Sequence, residues 1–262
     1  MLTIITSTYK SEKYIKKYVA HLMTAGNFLQ DKIDFEVIII ANDLSEKEKK
    51  AFEICSNKKW FKLLSVPRES LYASWNRGVD AARGTVVGFW NADDIRYPEA
   101  LLDGVKLIEG GADLVYFPFI IKWYLNFFNI GILVKKKKIL PDFYDRNKFT
   151  SGMHCGPFFL FSKEFYKQVG PFDEQFKIVG DFDWCVRAAK ISDNFVLSKV
   201  NAGEFRVDGG GLSAGGKYRF KVENSVVFER HSILIKSEGV TDKEMEKFDS
   251  SRILYKGNFV SL

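Results

Sequence analysis

What most constrains this chain is the alternation, through residue 90, of short strand-like runs with helix-like stretches. Leu2 to Thr6 reads as a buried strand that starts almost at the first residue, and Phe35 to Ala41, Phe61 to Val66 and Thr85 to Trp90 read as three more. Between them, Glu12 to Met23 places Tyr14, Ile15, Tyr18, Val19 and Leu22 at helical spacing, Ser45 to Cys55 is charged and helical in pattern, and Ser74 to Ala82 has the pattern of a helix. The order β-α-β-α-β-α-β demands crossover connections and so a mostly parallel central sheet flanked by helices, an α/β fold. In such sheets ligands bind beyond the carboxyl ends of the strands. Thr8, Asp43, Arg68 and Asp93 all follow strand ends and are expected to share one edge.

The second half is less regular. Pro98 to Glu109 reads as a helix opened by proline, Leu114 to Phe119 as a strand, Ser162 to Val169 as a short helix stopped by Gly170-Pro171, and Asp181 to Ala189 as a helix. Gly209 to Gly216, with five glycines in eight residues, is expected to be a mobile loop, and residues 217–236 to form a basic amphipathic helix. A main domain over residues 1–213 with a C-terminal helical extension over 214–262 is the expected organisation. The length of 262 residues supplies a sizeable core, and with 46% hydrophobic and 27% charged residues, disorder and a polytopic membrane protein are disfavoured. Cys55, Cys155 and Cys185 lack metal-ligand or disulfide-framework spacing, and Met1 to Lys10 lacks a secretory signal pattern. A reducing, cytoplasmic setting is expected.

Chemistry is carried by acidic clusters at predicted strand ends. Trp90-Asn91-Ala92-Asp93-Asp94 puts adjacent carboxylates together, a set of hard oxygens that suits Mg²⁺ or Mn²⁺ gripping a diphosphate, although a solvated turn or helix cap has the same sequence. Asp43 is placed to accept hydrogen bonds from a nucleobase or ribose, or simply to make a turn. In Gly180-Asp181-Phe182-Asp183-Trp184 the carboxylates lie two apart, so on a helix they point to different sides, one free to line a site and one to cap. A carboxylate in hydrogen-bond reach of a hydroxyl is a general base for group transfer.

In combination, TSTY at 6–9, Asp43, SLYASWNRGVDAARG at 70–84, WNADD at 90–94 and GDFDW at 180–184 resemble the family 2 glycosyltransferases of the GT-A fold, in the same order and at similar spacing over about residues 1–213. The resemblance implies a GT-A nucleotide-sugar-binding fold and an inverting, metal-dependent transfer from a nucleoside diphosphate sugar, UDP-linked by preference, to a glycan or lipid-linked acceptor of surface-polysaccharide synthesis. It implies that Thr6, Thr8, Tyr9 and Asp43 hold base and ribose, that Asn91 and Asp93 stand at the DxD motif with Asp93 on the metal, and that Asn76, followed by Arg77, faces the donor. Asn91 departs from the family pattern by replacing a carboxylate, and Gly180 replaces the Glu of the Glu-Asp motif, leaving Asp181 as catalytic base with Asp183 as the alternative. Arg68 is placed to neutralise a phosphate, Asp208 stands near a family His as a second metal ligand, and Asp94, His154, Asp183 and Trp184 fall on the acceptor side. The glycine-rich stretch after Asp208 suits a lid. A non-catalytic sugar-nucleotide-binding or scaffolding relative is the alternative, given Asn91 and Gly180.

Leu114 to Val134 holds 21 residues with a single charge, and Lys135 to Lys138 follow it. Length admits a transmembrane helix, but Pro118, Lys122, Asn126 and the abundance of aromatic and β-branched residues argue against one. Two readings stay open: Trp123 to Val134 as an aromatic hairpin or helix in the headgroup zone at the inner face of an anionic membrane, or a core strand followed by a solvated turn. His21 and His231 read as surface residues. The net charge of +6 reflects spread-out basic residues, and acidic clusters at the expected site would repel a phosphate backbone, so no nucleic-acid partner is expected.

Overall fold

Side chains of one strand alternate between two faces, so an uninterrupted apolar run needs cover on both. The computed structural model describes residues 1–127, 130–209, 216–235 and 239–262, and it supplies that cover. The first half runs β1 (Leu2–Thr8), α1 (Ile15–Leu29), β2 (Phe35–Asn42), α2 (Glu46–Phe52), β3 (Phe61–Val66), α3 (Leu71–Ala81) and β4 (Val86–Phe89). Then come β5 (Ile95–Arg96), α4 (Pro98–Glu109), β6 (Leu114–Tyr116), β7 (Phe119–Phe127), β8 (Ile130–Ile139), α5 (Arg146–Phe149), β9 (Leu160–Ser162), α6 (Lys163–Val169) and α7 (Gly180–Ile191). The chain ends with β10 (Phe195–Leu197), β11 (Gly203–Val207), α8 (Lys217–Arg230), α9 (Asp242–Met245), β12 (Arg252–Tyr255) and β13 (Asn258–Ser261).

Among the described residues the main sheet has seven strands in the order β10-β6-β9-β4-β1-β2-β3. Every pair in it is parallel except those made by β9, which runs antiparallel to both β4 and β6. Ile4, Val37 and Ile39 face a core filled by α1 and α4, and Ile5, Ile38 and Ile40 face one filled by α3, α6 and α7. Local signals set the boundaries. Ser45 and Glu48 form a reciprocal capping box on α2, Ser70 Oγ accepts the Ala73 amide at the start of α3, and Pro98 opens α4.

A second sheet, ordered β5-β11-β7-β8, stands beside the first. Gly203 has φ +150° and a Cβ there would lie 1.9 Å from the Ile95 carbonyl oxygen, so only glycine lets β11 close against β5. The greasy segment is therefore a long hairpin of β7 and β8 with a bulge at Trp123/Tyr124. No helix among the described residues is long and apolar enough to cross a membrane.

The C-terminal extension differs from a simple basic helix. α8 stops at Arg230 and buries Val222, Glu223, Ser225, Val226 and Val227, and the chain finishes with the β12–β13 hairpin. Residue 236 and most of the glycine-rich stretch, including the expected boundary at 213/214, lie outside the described residues.

Candidate functional site

The carboxyl ends of β1, β2 and β3 meet in one polar corner. Asp43 follows β2 in the left-handed region at φ 47°, and its Oδ1 accepts the Arg68 amide at 3.1 Å. The Arg68 guanidinium, expected on a phosphate, lies over the Tyr9 ring at 4.1 Å, so Tyr9, Asp43 and Arg68 come together at this edge. Asn42, just before Asp43, ties the ends internally, donating to Ser7 and Ser74 hydroxyls and accepting the Glu69 amide. Thr8 Oγ1 is buried at the end of β1 without a hydrogen-bond partner among the described residues, the sort of hydroxyl a bound ligand satisfies. Thr6 does not reach this corner. Its hydroxyl is buried 2.6 Å from Tyr18 Oη and fixes α1 to β1.

The WNADD turn after β4 splits its two carboxylates between different tasks. Asp94 is buried, accepts the Arg206 amide at 2.8 Å on Oδ1 and the Asn91 amide nitrogen at 3.3 Å on Oδ2, and thereby staples the turn to β11. It is a brace and not an acceptor contact, and burial and neighbouring Asp93 hold its carboxyl well above the usual range. Asp93 receives no hydrogen bond or ion pair from another described residue. Burial, with the nearby Asp208 carboxylate, raises its pKa, while Arg206 and Lys13 oppose the rise.

Asp208 is the hub of this side. Its Oδ2 accepts from Lys13 Nζ at 2.9 Å, Tyr14 Oη at 2.8 Å and Arg206 Nε at 2.9 Å. Asn126 in β7 donates to its backbone carbonyl and accepts from Lys13, so the hairpin is tied to the loop after β1. No three His, Cys, Asp or Glu groups gather into a metal cage among the described residues. A divalent cation that takes one or two carboxylates and completes its shell with substrate phosphate oxygens fits Asp93 with Asp208 at its side.

At the start of α7 the two carboxylates also separate. Asp181 Oδ1 accepts the Tyr72 phenol at 3.1 Å and the Phe182 amide at 2.9 Å, and burial raises its pKa. Gly180 explains the missing Glu: a Cβ there would meet the Tyr72 ring at 2.7 Å. Asp183 is fully buried among Arg187 Nε at 2.9 Å, Arg230 at 3.0 Å and His231 Nε2 at 3.0 Å. Burial alone would raise its carboxyl, but these donors win and hold it well below the carboxylate range. The expectation of Asp183 as acceptor contact or alternative base is thereby corrected, because none of its surface is open.

The other expected residues divide in the same way. Trp184 is wholly buried, with its indole N–H on the Gly170 carbonyl, so it belongs to the core and not to an acceptor site. Asn76 is likewise corrected: it donates to Phe172 O and Glu174 and accepts from Tyr166 and the Phe172 amide, which uses its amide within the protein. Arg77 forks onto Glu69 at the surface. His154 stacks on Phe149 at 5.2 Å, in the neighbourhood of Asp142 and Lys148, and burial lowers its pKa. His231 is no surface residue but part of the Asp183 network. Sequence reasoning did not assign roles to Tyr72, Lys13, Tyr14 or Arg206. Tyr72 stood inside a quoted motif, whereas Lys13 and Tyr14 read only as the start of an amphipathic helix.

A mixed α/β sheet whose strand ends carry a Tyr-Asp-Arg corner, a DxD-like turn and a carboxylate at a facing helix N-terminus defines a GT-A domain. The family described as Glycosyl transferase family 2 matches residues 3–170, and the chain belongs to that family. It is 29% identical over 176 residues to the amylovoran biosynthesis glycosyltransferase AmsB of Erwinia amylovora, covering 63% of this chain and 57% of that protein. Similar folds include S. aureus TarS 1-349 in complex with UDP-GlcNAc, with a TM-score of 0.63 at 18% identity over 94% of this chain and 69% of that one. The mannosyltransferase PcManGT of Pyrobaculum calidifontis, in complex with GDP-Man and Mn²⁺, also gives 0.63, at 14% identity over 94% of this chain and 68% of that one.

Proposed function

We propose that this protein is an inverting glycosyltransferase that moves a hexose from a nucleoside diphosphate sugar, UDP-linked, to a hydroxyl of a glycan or lipid-linked acceptor in surface-polysaccharide synthesis. The observation that carries the reading is Asp181, a carboxylate at a helix N-terminus with one oxygen fixed by two donors and burial holding its carboxyl above the ordinary value. Tyr9, Asp43 and Arg68 bind the base and ribose, and the Thr8 hydroxyl gains its missing partner there. Asp93, with Asp208 beside it, holds a divalent cation, Mn²⁺ or Mg²⁺, which when bound offsets charge on the departing diphosphate. Lys13 and Arg206 add positive charge on the same side. Asp181 takes the proton of the acceptor hydroxyl as its oxygen bonds to the anomeric carbon. The bond from that carbon to the diphosphate oxygen breaks, the electron pair leaves with the diphosphate, and the configuration inverts.

The relatives support the donor class: TarS was solved with UDP-GlcNAc and PcManGT with GDP-Man and Mn²⁺, while the name of AmsB supports the polysaccharide setting. A peripheral contact with the inner face of an anionic membrane belongs to the same proposal. Its support is the hairpin, where exposed Leu125, Ile132, Leu133 and Val134 adjoin exposed Lys135 to Lys138. The test is transfer from UDP- and GDP-sugars with and without Mn²⁺, using wild type and Asp181→Asn. Loss of transfer with nucleotide binding kept supports the reading. Turnover retained by Asp181→Asn removes Asp181 as base, and absence of both transfer and donor hydrolysis in wild type favours a non-catalytic binding role.

A further inference from the structure

We propose that Tyr72 is a positioning residue for the proton-accepting carboxylate: its buried phenol, 3.1 Å from Asp181 Oδ1, pins that oxygen with the Phe182 amide and presents Oδ2 to the acceptor. The inference rests on Asp181 being the base. No hydrogen bond from another described residue reaches Oδ2, so the two oxygens are unlike before any substrate arrives.

The surroundings show a built arrangement. Tyr72 lies in the first turn of α3, set by the Ser70 cap, and its ring is fixed at 5.4 Å from Trp75 and 6.1 Å from Phe172. Gly180 lets that ring approach the backbone of α7, since any side chain at 180 would strike it. The residue at the position of the family's Glu has thus been reduced to hydrogen, and a phenol from the opposite helix fills the space. Burial, and then the Asp181 charge, push the Tyr72 phenol far above its ordinary value, so it remains a donor throughout the working pH range.

The charged and titratable groups facing Asp181 are few. From α3 there is Tyr72. From α8 there is Glu223, whose carboxylate caps the amides of Lys177, Ile178 and Val179 and has Arg219 at 3.9 Å. From the next turn of α7 there is Cys185. Glu223 disfavours the ionised form of Asp181, and Tyr72 is the one side-chain group among these that favours it. Removing the phenol therefore makes Asp181 harder to ionise, and a more acidic phenol makes it easier.

The experiment is the pH dependence of kcat/KM for Tyr72→Phe and for the protein carrying 3-fluorotyrosine at position 72. A hydrogen bond to a charged acceptor is worth enough to move the acid limb by about one pH unit. The expected result is an upward shift for Tyr72→Phe and a downward shift for fluorotyrosine, with the donor dissociation constant within about twofold of wild type. Fluorotyrosine preserves the ring and its packing, so it decides the matter even where Tyr72→Phe folds poorly. An acid limb unmoved by the fluorinated residue overturns the role of Tyr72. Turnover in Asp181→Asn overturns instead the reading on which the role rests, so the two failures are distinguishable.

Discussion

Asp183→Asn separates the two carboxylates of GDFDW by their physics. The Asp183 carboxylate, with 0% exposure, meets Arg187 at 2.9 Å and Arg230 and His231 at 3.0 Å. Removing one side of a buried pair costs about 3–5 kcal/mol, because the partner charges stay buried. Arg230 keeps Asp173 at 2.8 Å and Asn keeps one carbonyl acceptor, which places the cost near the lower end, about 3 kcal/mol. For a chain of this size that lowers Tm by about 6–12 °C. Because the folded-state pKa of Asp183 is depressed, its contribution is full above the ordinary carboxylate range and is lost as pH falls. The wild-type and Asp183→Asn stabilities therefore begin to approach each other below about pH 4 and meet only once the pH has fallen through the much lower folded-state value. Asp181 behaves oppositely. Its raised pKa means that ionisation works against folding near neutrality, so Asp181→Asn keeps or gains stability while losing transfer. The assay is thermal unfolding between acid and neutral pH, paired with transfer rates well below Tm. An Asp183→Asn protein with Tm within about 2 °C of wild type and no turnover would refute the assignment.

Further outcomes follow from the same contacts. Asp93→Asn abolishes the Mn²⁺-dependent part of nucleotide-induced thermal stabilisation, with at least about tenfold weaker Mn²⁺ binding by electron paramagnetic resonance, while the nucleotide-only shift remains. Asn76→Ala lowers stability by about 1–3 kcal/mol in urea unfolding, through the unsatisfied groups it leaves around Phe172 and Tyr166, and leaves the donor dissociation constant unchanged. Replacing Lys135 to Lys138 with Gln weakens flotation with anionic vesicles at low salt by up to about 4 kcal/mol and leaves transfer to a soluble acceptor intact; equal flotation before and after refutes the contact.

The parts of the fold legible in the sequence are those in which local pattern and burial agree. β2 and β4 are buried along their whole length because both faces are covered, β3 at the sheet edge is only half covered, and each crossover helix shows its stripe. β9 was hidden: Leu160–Ser162 has three residues, and its antiparallel place between β4 and β6 is decided by contacts far along the chain. The hairpin was legible as one of two alternatives, since its residues carry strand character but its partner β11 lies some eighty residues on. The strand-end placement of Asp43, Arg68 and Asp93 was legible because chain order fixes the edge. That Asp181 and Asp183 point to different sides was legible from their spacing, but the burial of Asp183 in an ion network was not, because Arg230 and His231 lie more than forty residues later. Asn76 misled for a related reason. A polar residue near the start of a helix reads as facing the donor until the Phe172 to Glu174 segment is seen to use its amide.

The outer strand of the second sheet has a consequence for how molecules of this protein meet in solution. β8 is an edge, with backbone groups facing solvent, and such an edge invites the same strand of another molecule to continue the sheet. Where two copies pair in parallel register, or antiparallel about the centre of the lysine run, Lys135 to Lys138 would be brought to within about 5 Å of their counterparts, stacking like charges across the new ladder. The repulsion keeps the edge unpaired in dilute buffer and weakens as salt shortens the Debye length. The lysine run thus acts as a barrier to sheet-to-sheet growth, and the protein's tendency to self-associate should rise with ionic strength.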